Sequence, residues 1–75
     1  MLLNQESMIE SSHIDKAIYD FTTKSLKIRF KSGAVYEYSN VEPAVYESFI
    51  HADSQGKFFN EKIKNNYSHN QLLTD

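Results

Sequence analysis

Three stretches of this 75-residue sequence carry side chains suited to recognition. The first is Lys27, Arg29 and Lys31, with a cation at every second position. On a strand, same-face residues recur about every 6.6–6.8 Å, near the spacing of consecutive phosphates along a nucleic acid. Such a row tracks a phosphate backbone through weak, salt-sensitive contacts. It is also what the wet face of a strand needs to resist edge-to-edge aggregation. The second stretch is Tyr36-x-Tyr38. Two tyrosines on one strand face are a platform on which bases stack. Alternatively they are the inward face of a small core, and their hydroxyls then need partners, Asn60 or Ser54 being candidates. The third is Ser54-x-Gly56-x-x-Phe59-Asn60, with Lys57 and Lys64 nearby. Glycine there lets a ligand approach the backbone, and N–H groups at a helix start favour an anion. The alternative is a compact cap and turn, with Asn60 bonding backbone. Of the three, this stretch is the preferred place for a phosphate-bearing ligand.

Other chemistry finds little to build on. His13, His51 and His69 form no pair at i, i+3 or i+4, so no metal site is expected. Ser11 and Ser12 have no organised triad pattern around them. No nucleophile elbow, P-loop or dinucleotide motif is present. Glu37, Glu42, Glu47 and Glu61 read as solvated charges. There is no cysteine, which excludes disulfides and thiolate ligands. The expectation is a non-enzymatic domain with no cofactor and no metal.

Size and composition set further bounds. Seventy-five residues make one domain, burying only about 60% of the surface its unfolded chain exposes. With 40% hydrophobic and 13% aromatic residues, the core must rest on large rings, each removing on the order of 150–250 Å² from water. A net charge of −2 argues against a strongly electrostatic nucleic-acid binder. No apolar run approaches the roughly 20 residues of a membrane span, and no secretory signal is visible. A cytoplasmic address is expected.

The elements that would position these residues can be read from periodicity. Residues 1–10 have no clean period and read as an N-terminal arm, disordered unless docked. Ser12 to Phe21 is rich in β-branched and aromatic residues and reads as a strand, with a bulge near Ala17–Ile18 where alternation breaks. Thr22-Thr23-Lys24 follows as a turn. Leu26, Ile28 and Phe30 alternate strictly with Lys27, Arg29 and Lys31, the mark of a half-buried strand. Gly33 supplies the positive φ of a hairpin turn, and Ala34 to Ser39 returns as a third strand. Pro43 opens a helix to about Ala52, with Asn40, Glu42 and Glu47 supplying capping or acidic chemistry near its start. Its apolar stripe is Val45, Tyr46, Phe49 and Ile50. Asp53 or Ser54 caps a second helix whose apolar face is Phe59, Ile63 and Tyr67. Residues 68–75 read as a C-terminal tail. The fold class is therefore α+β: a three-stranded antiparallel β-meander followed by two short helices packed on one face.

The ordered series also resembles a known family. It runs from Ser11-Ser12-x-Ile14 and Tyr19-Asp20 through Leu26-x-Ile28-x-Phe30, Gly33 and Tyr36-x-Tyr38. Val41-x-Pro43-x-Val45-Tyr46 follows, then Ala52-x-Ser54-x-Gly56-x-x-Phe59-Asn60-x-x-Ile63-Lys64-x-x-Tyr67. This resembles the KTSC domain, named for its place at the C-terminus of some lysyl-tRNA synthetases and found alone in bacteria and their viruses. The resemblance covers residues 11–67. Three positions depart from the usual pattern: Ile18 replaces a common Gly, Glu42 a frequent Pro and Lys64 a frequent Arg. What the resemblance implies for function is a modest rise in the prospect of RNA binding.

Two kinds of function follow as expectations. One is a nucleic-acid or nucleotide-phosphate binding module, combining Arg29 and the strand lysines with the Gly56 helix start. The other is a protein-interaction or inhibitor domain whose acidic charge covers a basic partner. Self-association through sheet edges is a third expectation.

Overall fold

The computed structural model describes residues 4–73, and five strands run through them. These are β1 (Asn4–Met8), β2 (Ile14–Asp20), β3 (Ser25–Phe30), β4 (Val35–Tyr38) and β5 (His69–Leu73). Between β4 and β5 come helix α1 (Pro43–Ile50) and a short helix α2 (Gln55–Phe58), which widens into one π-helical turn over Phe59–Ile63. The strands pair antiparallel in the order β1-β2-β3-β4-β5. The α+β class stands, but the sheet has five strands where three were expected.

Both additional strands come from segments read as an arm and a tail. β1 pairs Asn4 with Asp20 and Met8 with Lys16. Its inward residues are Gln5 and Ser7, and its outward ones Asn4, Glu6 and Met8, so no apolar alternation marks it. It docks through a polar contact instead: the Ser7 hydroxyl lies 2.9 Å from the Tyr46 hydroxyl. Leu2 and Leu3 lie outside the described residues. β5 pairs along β4, with His69 opposite Tyr38 and Gln71 opposite Tyr36. It is exposed throughout, so its hydrogen bonds, not burial, define it.

The inner meander follows the pattern. Leu26 and Ile28 are fully buried, while Lys27 and Arg29 point to the other face. The bulge lies at Asp15, between Ile14 and Lys16, not at Ala17–Ile18. The extra residue turns Ile14, Ala17 and Tyr19 all inward and leaves Ile18 outside. Gly33 makes the β3–β4 turn at φ 104°, and the turn after β2 carries Lys24 at φ 58°.

The helices cover the inner face of the sheet. In α1, Tyr46 and Phe49 are buried, with Val45 and Ile50 packed beside them. Tyr46 stacks on Tyr19 at 4.6 Å between ring centroids, and Phe21 meets Tyr19 edge-on at 4.7 Å. Pro43 starts α1 as expected, but no side chain caps it. Glu42 reaches Lys24 instead, at 3.2 Å, and Glu47 faces His51 at 3.5 Å, one turn on. The second helix is capped by Ser54, whose hydroxyl accepts from the Lys57 N–H. Phe59 and Ile63 then enter the core. Burying each large side chain stabilises the fold by roughly 1.5–3 kcal/mol. No helix among the described residues is long and apolar enough to cross a membrane.

Candidate functional site

The inner face of the sheet is not evenly covered. α1 lies over the β2–β3 side through the Tyr19–Tyr46 stack. Beyond it, Tyr36 on β4 and the β5 residues beside it are left partly open. The result is a cleft of about 600 Å³ between the sheet and the π turn. Phe30, Tyr36 and Tyr38 form its floor, with Phe59 behind them. Phe30 meets Tyr36 edge-on at 5.7 Å and Phe59 at 5.8 Å, a close aromatic corner.

The rim is polar and comes from three places. The π turn and its exit supply Asn60, Lys64 and Asn65; β5 supplies His69 and Gln71; the loops supply His13 and Ser32. Asn60 and Lys64 are four residues apart and reach the same cleft. The wider turn is made by the Lys64 N–H donating to the Phe59 carbonyl at 2.9 Å. Turns of this kind recur at functional sites.

Several rim groups are set by their neighbours. His69 Nδ1 lies 3.2 Å from the Tyr67 carbonyl. A carbonyl only accepts, so Nδ1 carries a proton in this contact, which leaves Nε2 as the ring nitrogen facing away from it. Tyr38 is only 3% exposed. Burial first, and then its neighbour Tyr36, pushes its phenol up to about 12, so at neutral pH it is an un-ionised hydroxyl. Neither Asn60 nor Ser54 partners that hydroxyl, as the sequence had suggested. Among the described residues it has no hydrogen-bond partner, and the Asn60 and Asn65 amides have none either.

A second cleft adjoins the first across His13 and Asn60. Ser11, Ser12, Ser54, Gly56 and Lys57 line it, with Glu10 and Glu61. The sequence favoured this place for a phosphate. Two carboxylates against one lysine make it acidic, which repels a phosphate. Its motif residues also have structural work. Ser54 caps α2, and a Cβ on Gly56 would lie 3.0 Å from the Ser11 hydroxyl. Ser11 Oγ accepts from the N–H groups of His13 (3.2 Å) and Ile14 (3.3 Å) and lies 3.3 Å from His13 Nδ1. That hydroxyl is occupied in holding a turn. Among the described residues no group of His, Asp and Glu could hold a metal.

The cationic row lies elsewhere. Lys27 and Arg29 stand on the outer face of the sheet, beside a cleft shared with Lys16, Ile18, Val35 and Leu73. Glu37 stands opposite Lys27 across the ladder, and Asp15 lies 3.9 Å from Arg29, so acids offset the row. Lys31 falls after β3, its N–H donating to the His13 carbonyl. Arg29, Lys57 and Lys64 therefore face three different clefts and do not converge as the sequence reading required. Of the residues singled out from sequence, the aromatic cleft gathers Tyr36, Tyr38, Asn60 and Lys64. His13, Phe30, Asn65, His69 and Gln71 were not anticipated there. Phe30 carried a visible strand signal, but the β5 residues carried none.

The KTSC domain family matches residues 10–67 of the chain. A lysine–tRNA ligase of Nostoc punctiforme is 43% identical over 63 residues, covering 84% of this chain. The chain spans only 11% of that ligase's length. A protein of Tsukamurella paurometabola is 41% identical over 56 residues, which are 75% of this chain and 84% of that protein. The crystal structure of a KTSC domain protein from Yersinia pestis superposes with a TM-score of 0.87 at 28% identity, covering 93% of this chain and 99% of the other. β5, which supplies His69 and Gln71, falls just beyond the matched range. The same small domain thus occurs within tRNA ligases and in proteins of about its own size, and this chain belongs to the KTSC domain family.

Proposed function

We propose that this domain is a non-enzymatic binding module for nucleic acid, with RNA foremost and the aromatic cleft as its site. The observation that carries the reading is the cleft's composition. Aromatic side chains lie beneath a rim of amides, imidazoles and one lysine, and among the described residues no carboxylate lines it. Ring faces suit bases, and the lysine suits a phosphate. The presence of the domain in ligases that act on tRNA agrees with this reading by association. The outer cationic row is at most an auxiliary contact, since acids stand beside it.

The test is direct binding of single-stranded RNA at about 50 mM salt and tens of micromolar protein, where even non-specific binders register. Saturable binding supports the reading; none under those conditions ends it. A protein-interaction role is favoured by one separate feature, the uncovered outer face. There Ile18, Val35 and Leu73 form an apolar strip between Lys16, Lys27 and Arg29. A stoichiometric protein recovered from lysate after nuclease treatment, and lost with Val35→Asp, would establish that role.

A further inference from the structure

We infer that the aromatic cleft takes one unpaired nucleotide, its base against Phe30 and Tyr36 and its phosphate at Lys64. The domain would then separate single strands from duplexes. This deepens the nucleic-acid reading above and rests on it.

Shape is the first ground. The cleft is a concavity of about 600 Å³, within the general range of small-molecule sites and unlike a long groove. A base inside a duplex has both faces stacked and its pairing edge occupied, so it cannot enter. Only a base splayed out of its stack can reach the floor.

The second ground is unused hydrogen-bonding capacity. Tyr38 is almost wholly buried, yet its hydroxyl reaches the surface of the cleft and has no protein partner among the described residues. Open to the cleft and unpaired with protein, it is available to bond the edge of a ligand that enters. Asn60 and Asn65 add amides that both donate and accept, and His69 Nε2 adds a ring nitrogen. A heterocyclic base presents donors and acceptors along one edge and matches such a set. A purely apolar or purely anionic ligand does not.

Charge supplies the third ground. Among the described residues Lys64 is the one Lys or Arg lining this cleft, and none of them brings a carboxylate to it. Across the His13–Asn60 boundary, Glu10 and Glu61 outnumber Lys57. A phosphate attached to the bound base is therefore drawn to the Lys64 side and repelled from the other. A single phosphate contact gives weak salt dependence, with a slope of roughly −0.7 for a single strand.

The experiment is fluorescence anisotropy of the full chain with a labelled single-stranded RNA of about 12 nucleotides and with the duplex of the same sequence. Single strand bound at least tenfold tighter is the expected result. Asn60→Ala, at an exposed residue with no side-chain hydrogen bond, should weaken single-strand binding roughly 2- to 13-fold, the loss of one hydrogen bond. Lys64→Ala should weaken it and flatten the salt slope, while Lys27→Ala and Arg29→Ala should leave it unchanged. Equal affinity for duplex overturns the inference, and so does sensitivity to Arg29 without sensitivity to Asn60. Either result leaves the nucleic-acid reading standing. Absence of binding to both RNAs at low salt overturns both.

Discussion

Replacing Gly56 by alanine tests how the first loop and the second helix are locked together. Gly56 lies within α2, where alanine is the better helix former by about 0.8–1 kcal/mol. Local conformation therefore favours the substitution, and only the surroundings oppose it. The new Cβ would stand 3.0 Å from Ser11 Oγ, which must yield by a few tenths of an ångström. That oxygen accepts two backbone N–H groups at 3.2 and 3.3 Å, already long. Displacing it weakens both. At about 0.5–1.5 kcal/mol net for each bond, the loss is roughly 1–3 kcal/mol. Against the helix gain, Gly56→Ala should destabilise by about 0–2 kcal/mol. In a Ser11→Ala background the hydroxyl is gone, and the two remaining contacts, His13 Cε1 at 3.5 Å and the residue-11 Cβ at 3.6 Å, are ordinary. There the same substitution should be neutral or stabilise by up to about 1 kcal/mol. The coupling, roughly 1–3 kcal/mol, is read from urea midpoints of the four variants in a double-mutant cycle. Equal midpoint shifts in the two backgrounds would refute the reasoning, because the cost would then not pass through Ser11.

Three other expectations concern different parts of the molecule. Tyr38 ionises near 10 in the unfolded chain and near 12 when folded. Its contribution to stability is therefore complete below pH 10 and is lost as pH rises from 10 to 12; two pH units correspond to about 2–3 kcal/mol, and solvent at the cleft screens the hydroxyl to about 1–2 kcal/mol. Tyr19 and Tyr46 are also raised, first by burial, and act in the same direction. Urea midpoints between pH 9 and 12 should fall less steeply for Tyr38→Phe than for the parent; an unchanged profile would contradict this. Lys24 holds a left-handed φ of 58°, so Lys24→Gly should relieve about 1 kcal/mol of backbone strain. Loss of the exposed pair with Glu42 offsets about 0.2–1 kcal/mol of that. The melting temperature should stay level or rise, and a clear fall would refute it. Ending the chain after Ser68 removes β5, which should expose the Tyr36 and Tyr38 edge of β4 and lower the urea midpoint. A midpoint identical to that of the full chain would show that β5 does not hold the cleft's outer wall.

The central part of the fold was legible because burial there has two clear sides. Leu26 and Ile28 face a helical layer while Lys27 and Arg29 face water, so the sequence alternates as the strand does. α1 and the Ser54 cap were readable for the same kind of reason: a one-sided apolar stripe and a hydroxyl at the point where N–H groups need acceptors. β1 and β5 could not be read because neither has an apolar side. β1 is fixed by its ladder with β2 and by the Ser7–Tyr46 contact, and β5 by its ladder with β4. Hydrogen-bonded pairing leaves no periodic mark on composition. The bulge was misplaced by two to three residues because two adjacent apolar residues, Ala17 and Ile18, look like a break. In fact Ile18 faces outward, and the extra residue is the polar Asp15.

The same contrast explains why the site was only half visible. Within Ser54-x-Gly56-x-x-Phe59-Asn60, folding accounts for three residues. Ser54 caps, Gly56 admits Ser11, and Phe59 fills the core between Phe30 and Tyr38. It does not account for Asn60, which is exposed and makes no side-chain hydrogen bond among the described residues. In Tyr36-x-Tyr38, packing alone would be met as well by phenylalanine at the second position, where the hydroxyl finds no protein partner. The groups that folding leaves unexplained, Asn60 and the Tyr38 hydroxyl, meet in one cleft with Lys64. Both groups reach solvent, so standing unpartnered costs the fold nothing, and neither is held by a protein bond. What joins them is place: beside the same aromatic floor and unpaired with protein, they are available to whatever enters the cleft. The outer cations were the louder signal in the sequence, but each has an acid or a turn to account for it.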